Sequence, residues 1–252
     1  MNKITAITVS KKYSDLLEHC IKHNHQIFDK WYIVTQEDDT ATIELVKDLN
    51  LPNVKLFYYP LVPDLSKPNH AQISFSEEGN KVIYDIRGDR LISADKLKTI
   101  QPMKRREKWV CYNKILFDKG GAVRHLQHQT SLNENVLVLD SDILITEELK
   151  NEMLNHELKQ NTIYGCHRMD FPTADEAIND DRSRARDYHR NNCADGFFQL
   201  YINNNIRKYR RSFNASGCDV NFYQQFPKKH VFPQYINHIG MAHAENWNGR
   251  KK

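Results

Sequence analysis

The chain is predicted to fold as an α/β protein, a mostly parallel central sheet flanked by helices. Two observations predict it. Short β-branched runs alternate with amphipathic stretches through the first sixty residues, and a parallel crossover needs a helix-length connection. A very apolar run follows later, at Val136–Leu139 (VLVL), as expected of a strand buried on both faces.

Ile4–Val9 (ITAITV) reads as the first strand. Tyr13–Phe28 carries Leu16, Leu17, Cys20, Ile21 and Ile27 near helical spacing, with Ser14 as candidate N-cap. Trp31–Thr35 is the second strand, Thr40–Leu49 the second helix and Val54–Tyr58 the third strand. Residues 60–103 read as an excursion from the sheet holding one strand-like stretch, 82–86. Arg105–Asp118 returns to a helical pattern. After Val136–Leu139, a helix is expected over Thr146–Leu158, with Glu147 and Glu148 in its first turn where the helix dipole favours acids. Thr162–Cys166 is a further strand; mixed polar loops and short elements are expected beyond it.

Composition narrows the function. The 252 residues suffice for a buried core and are read as a single domain, 1–252, whose two halves meet at about 145/146. Thirty-six Lys plus Arg against thirty-two Asp plus Glu leave +4, which permits anionic ligands without demanding nucleic acid. Mean hydropathy is −0.71, and no apolar run approaches the roughly 20 residues of a membrane helix. No apolar leader opens the chain, so a cytoplasmic location is expected. Five scattered cysteines without a CxxC pair suggest reduced, mostly buried thiols.

The sharpest feature is Asp140-Ser141-Asp142, directly after the apolar strand. Ligands of open α/β sheets bind beyond the carboxyl ends of the strands. Residues i and i+2 of extended chain point the same way, so two carboxylates can converge on one hard cation, Mn²⁺ or Mg²⁺. Such a cation neutralises charge growing on a departing diphosphate. The ordinary use of these residues is an Asx turn or a helix cap.

An N-terminal β-α-β half followed by an apolar strand ending in Asp-x-Asp resembles the GT-A (Rossmann-like) glycosyltransferases, which use nucleotide-sugar donors. Ile4–Ser10 with Tyr13 resembles the family's first-strand loop, which holds base and ribose. Tyr32–Thr42 resembles the second-strand segment, where an acid contacts the nucleoside. Lys114–Val123 (KILFDKGGAV) resembles the helix and Gly-rich turn before the Asp-x-Asp strand. His238-Ile239-Gly240 followed by Asn246-Trp247 resembles the C-terminal histidine segment of some members, the glycogenin-like group among them. One residue separates His and Gly here where that group has two, and Glu245-Asn246-Trp247 stands where it has Lys-Pro-Trp.

The resemblance implies transfer of a sugar from a nucleotide diphosphate-sugar, UDP being the commonest nucleotide among metal-dependent members, to a glycan, lipid-linked or other hydroxyl acceptor. It implies Asp140, Asp142 and His238 as metal ligands. Thr8, Tyr13, Thr35, Asp39, Lys114, Asp140 and Trp247 become the donor-binding candidates, and Arg250, Lys251 and Lys252 would supply charge to the diphosphate. Inverting transfer needs a general base on the acceptor hydroxyl. Asp219, in Ser216-Gly217-Cys218-Asp219, is the first candidate; Asp195, before the aromatic run 197–201, is the second, and Asp170 the third. The resemblance also lets 182–190 act as a loop closing over the donor.

Two other readings use the same residues. A Mg²⁺-dependent nucleotidyltransferase also places acids after α/β strands, but usually with a Gly-rich loop after the first strand, and residues 9–14 lack glycine. A non-enzymatic nucleic-acid-binding protein would use the basic runs 182–190 and 207–211; a solvated face balanced by Asp180, Asp181 and Asp187 is the simpler account of the first, and nucleic acid is the less favoured partner.

Overall fold

A computed structural model describes residues 1–61, 72–77, 80–85, 117–188, 196–210 and 218–239, with only the backbone for 72–77, 80–85 and 188. Its strands are β1 (Ile4–Val9), β2 (Lys30–Thr35), β3 (Val54–Tyr58), β4 (Gln72–Glu77), β5 (Asn80–Asp85), β6 (Asn135–Leu139), β7 (Ile143–Ile145), β8 (Thr162–Asp170), β9 (Arg186–Tyr188), β10 (Phe198–Ile202) and β11 (Lys228–His238). The helices are α1 (Ser14–Asn24), α2 (Thr40–Leu49), α3 (Lys119–Gln127), α4 (Glu147–Asn155), α5 (Ala174–Ile178) and α6 (Cys218–Tyr223).

The described residues build a nine-stranded sheet in the order β3-β2-β1-β6-β10-β8-β11-β7, with β9 paired to β8. Strands β1, β2, β3, β6, β8 and β11 run one way; β7, β9 and β10 run against them. The sheet is thus mostly parallel and Rossmann-like, as its βαβ pattern predicts. β4 and β5 form a separate antiparallel pair, Gln72↔Asp85 to Glu77↔Asn80, within the segment read as an excursion.

Strand alternation splits the core into two layers. One face of the sheet presents Ile4, Ala6, Trp31, Ile33, Leu137, Leu139 and Leu200 to α1, α2 and α4. The other presents Ile7, Val9, Tyr32, Val34, Val136, Val138 and Tyr201 to α3 and α6. Each Leu or Ile buried fully in these layers is worth about 1.5–3 kcal/mol relative to exposure. Helix α1 starts on Ser14 itself, after Tyr13, and no side chain caps it. Thr146 does cap α4: its Oγ1 accepts from the Leu149 amide at 3.3 Å.

Several elements differ from the sequence reading. β8 runs on to Asp170, past the expected end at Cys166. The expected polar tail contains β11, eleven residues long. A helix begins at Lys119, after Phe117 and Asp118, where a Gly-rich turn was expected. Of the helix expected over 105–118, residues 105–116 lie outside the described residues, and Phe117 and Asp118 are not helical. Cys20, Cys166 and Cys218 are buried and in no disulfide; Cys111 and Cys193 lie outside the described residues.

Candidate active site

The site grows from the carboxyl end of β6. Even-numbered residues of β6 face α3 and α6, so Asp140, one step past Leu139, points to the same side. There it meets Lys119. Asp118 caps α3, its Oδ1 accepting from the Gly121 amide at 2.8 Å while Tyr59 donates to its Oδ2 at 3.0 Å. A Cβ on Gly121 would sit 2.3 Å from both the Tyr59 hydroxyl and Asp118 Oδ2, so a larger residue here would disturb the cap. The turn sets Lys119 as the first helical residue. Its ammonium pairs with Asp140 Oδ1 and donates to the Gly196 carbonyl at 3.3 Å.

Asp219, in the first turn of α6, joins the same group. Gly196 packs so closely on it that a Cβ there would lie 2.0 Å from Asp219 Oδ2. Asp219 Oδ1 also accepts from the Val220 amide at 2.9 Å. Burial pulls the Lys119 ammonium down, but the charges of Asp140, Cys218 and Asp219 overcome it, and its pKa is raised. Burial pushes the Asp140 carboxyl up; Lys119 opposes this, Asp142 and Asp219 reinforce it, and the net direction is upward.

Asp142 is bound into a second chain of charges. Parallel strands β8 and β11 end together, with His238 opposite Asp170. His238 Nδ1 lies 2.8 Å from Asp170 Oδ1, and Nε2 lies 3.3 Å from Asp142 Oδ2. Arg168, two residues before Asp170 on β8, reaches back to it with Nε 2.8 Å from Oδ1. Its guanidinium lies over the Phe197 ring at 5.2 Å. The backbone is fixed as well: the Phe171 amide donates to the His238 carbonyl at 2.8 Å and the Ile239 amide to the Asp142 carbonyl at 3.0 Å. Burial pulls the His238 imidazolium down, yet Asp142 and Asp170 outweigh it and carry its pKa up to about 9. Burial acts to raise Asp142 and Asp170, but His238 and Arg168 hold both below the usual carboxylate range.

The nucleoside candidates have partners of their own. Thr35 donates to Asp39 Oδ2 at 2.9 Å, and the Lys12 amide donates to the same oxygen at 2.9 Å. Lys12 takes a left-handed φ of 61° to do so. Thr35 and Asp39 thus stand together at the carboxyl ends of β1 and β2. Thr8 stands apart from them: it is fully buried on the α1 side, and its hydroxyl accepts from the Trp31 indole at 2.9 Å. Tyr13 is buried at the start of α1. Lys114, Asp195 and Trp247 lie outside the described residues, as do Gly240, Asn246 and the basic tail 250–252.

Sequence reading missed Lys119 and gave Asp170 a different part. Both signals lay in the chain: an Asp-Lys-Gly-Gly turn as a capped helix start, and an Arg-x-Asp pair on one strand face. The basic runs are partly spent within the fold. Arg182 forks onto Asp180 at 2.9 and 3.1 Å, Arg184 pairs with Glu176, and Arg207 donates to Gln225 O and Asn161 Oδ1 at 2.8 and 2.7 Å.

No protein-family model matches the chain, and no curated protein does. Among solved structures it is similar to a 4-diphosphocytidyl-2C-methyl-D-erythritol synthase from Anaerococcus prevotii, at 12% identity and a TM-score of 0.39 over 99% of this chain and 92% of that one. At that identity and score the likeness says nothing of chemistry. Among the described residues no helix is long and apolar enough to cross a membrane.

Proposed function

We propose that the chain is a glycosyltransferase that takes its sugar from a nucleotide diphosphate-sugar, with UDP as the nucleotide. One observation supports this above the rest. Asp140 and Asp142 leave the carboxyl end of β6 beside three further chemically active groups, Lys119, Asp219 and His238.

Mn²⁺ or Mg²⁺ is the cofactor of this reading. Carboxylate oxygens suit a hard cation that shares its shell with phosphate and water. Asp140 and Asp142 would hold it. His238 is a fitting neighbour, because Asp170 engages Nδ1 and leaves Nε2 turned to Asp142. Among the described residues no three His, Cys, Asp or Glu side chains are arranged around one point for a metal. Phosphate oxygens of the donor would therefore complete the shell. When bound, the cation supplies charge neutralisation of a departing diphosphate.

The chain's own groups carry the rest of the proposal. Lys119 adds a buried positive charge beside Asp140, on the side where leaving-group charge would build. Asp219 is the candidate base if transfer inverts: the acceptor oxygen bonds to the anomeric carbon, the sugar–diphosphate bond breaks with its electron pair leaving on the nucleotide, and the hydroxyl proton passes to the carboxylate. Thr35 and Asp39 are the candidate nucleoside contacts.

The test is a melting-temperature panel of nucleotides and nucleotide sugars with Mn²⁺, repeated with chelator. A ligand at 100 times its Kd stabilises the folded state by about 2.7 kcal/mol. UDP with Mn²⁺ is expected to raise the melting temperature, the chelator to cancel the rise, and Asp140→Ala to abolish metal-dependent donor hydrolysis. Stabilisation by nucleoside triphosphates, with pyrophosphate released, would replace this reading with nucleotidyl transfer.

A further inference from the structure

His238 is the last residue of β11 and Asp170 the last of β8, and the parallel ladder sets them opposite each other. Their side chains meet at 2.8 Å, through Nδ1 and Oδ1. A ring held at Nδ1 has one free choice left, the direction of Nε2, and here that is Asp142 Oδ2 at 3.3 Å. Arg168 holds Asp170 in place, Nη2 donating to Oδ2 at 3.3 Å and Nε in charge contact with Oδ1 at 2.8 Å. The side chains are largely buried: 13% exposed for His238, 12% for Asp170, 9% for Asp142 and 22% for Arg168.

This arrangement is more than a structural tie. β7 and the Asp142 carbonyl already fasten the end of β11 through backbone hydrogen bonds. Those bonds set the register of the strand. What the side chains add is the orientation of one imidazole. A histidine that serves a metal ordinarily gives its other ring N–H to a carboxylate, which fixes tautomer and ring plane.

We propose that Asp170, clamped by Arg168, is the positioning residue of the site: it turns His238 Nε2 toward Asp142, where the cation would bind. Asp170 thereby leaves the set of candidate bases. The inference rests on the cation reading above and deepens it.

The experiment uses the full chain with UDP and titrates Mn²⁺, reading free Mn²⁺ by electron paramagnetic resonance. Asp170→Asn is expected to weaken Mn²⁺ binding by about 10–100-fold, the range seen when such outer partners are removed. His238→Ala should lose a similar factor, and the double variant should lose no more than the worse single one. Asp170→Glu should recover part of the loss. Multiplying losses, or an Asp170→Asn affinity within about twofold of the parent, would overturn the proposal. If the parent chain binds no Mn²⁺, the cation reading falls, and histidine NMR decides the positioning role alone. A downfield Nδ1–H proton of His238 that disappears in Asp170→Asn upholds it; one that persists ends it.

Discussion

Lys119 illustrates how much a single side chain settles at this site. Its ammonium is about a tenth exposed, whereas Asp140 keeps 34% of its side chain in contact with solvent. Removing one partner of a buried ion pair costs about 3–5 kcal/mol, and exposed pairs are worth about 0–1 kcal/mol. Asp140 stands between these limits, so Lys119→Met is expected to destabilise the fold by about 1–3 kcal/mol. The loss should shrink when Mn²⁺ is added, because a cation at Asp140 does the same electrostatic work. Urea denaturation with and without Mn²⁺ measures both. A variant as stable as the parent would mean that Asp140 relaxes into water once its partner is gone.

At the scale of elements, two glycines determine how closely the site's walls approach. A Cβ on Gly120 would lie 1.9 Å from the Arg210 carbonyl, a backbone atom that cannot rotate aside. Gly120→Ala is therefore expected to push α3 off the segment before residue 211 and cost about 1–3 kcal/mol in a denaturant titration. Gly196→Ala meets Asp219 instead, at 2.0 Å from Oδ2 but also at 2.6 Å from its Cβ, which no side-chain rotation clears, so it is expected to displace Asp219 at a similar cost. An unchanged denaturation midpoint for Gly120→Ala would show that α3 shifts freely. These contacts also explain what was legible in the sequence. The strands β1, β2, β3 and β6 and helices α2 and α4 announce themselves by local period: Thr40–Leu49 and Val54–Tyr58 match their predicted bounds, and the strand at 136–139 gains only Asn135. Helix α3 did not, because Gly120 and Gly121 weaken its helical signal although packing demands them. β11 did not either: Lys228, Lys229, His230, Gln234 and a mid-strand Pro233 read as loop. Its strand state comes from β8 and β7 on either side, with a register shift between Phe232 and Tyr235 that accommodates the proline. The Asp-x-Asp pair was readable because it abuts an apolar run. His238 was readable beside them only through the resemblance of its segment; Lys119 and the tie between His238 and Asp170 were not, since these residues come from three distant parts of the chain.

For the molecule as a whole, the decisive joint is where β8, β11, β7 and the 140–142 turn come together on His238. Its pKa rises from the ordinary 6.5 to about 9. A group that binds its proton more tightly when folded adds stability that is complete below pH 6.5 and disappears as pH climbs through about 9. Asp142 and Asp170 act in the opposite sense. Their folded pKa values lie below the ordinary 3.8, so their share is complete above that value and is lost as pH falls through the lowered ones. The cluster's full contribution to stability is therefore present only between the two limits, from pH 3.8 to 6.5, although His238 in the folded chain keeps its charge up to about pH 9. Measured without metal, the difference in unfolding free energy between the parent and His238→Gln should be largest near pH 6 and fall steadily toward pH 9. Titrating groups away from this cluster are common to both proteins and cancel in that difference; Asp142 and Asp170, which His238 holds down, add to it. A flat difference over this range would mean that the folded chain does not hold the His238 proton more tightly than the unfolded one.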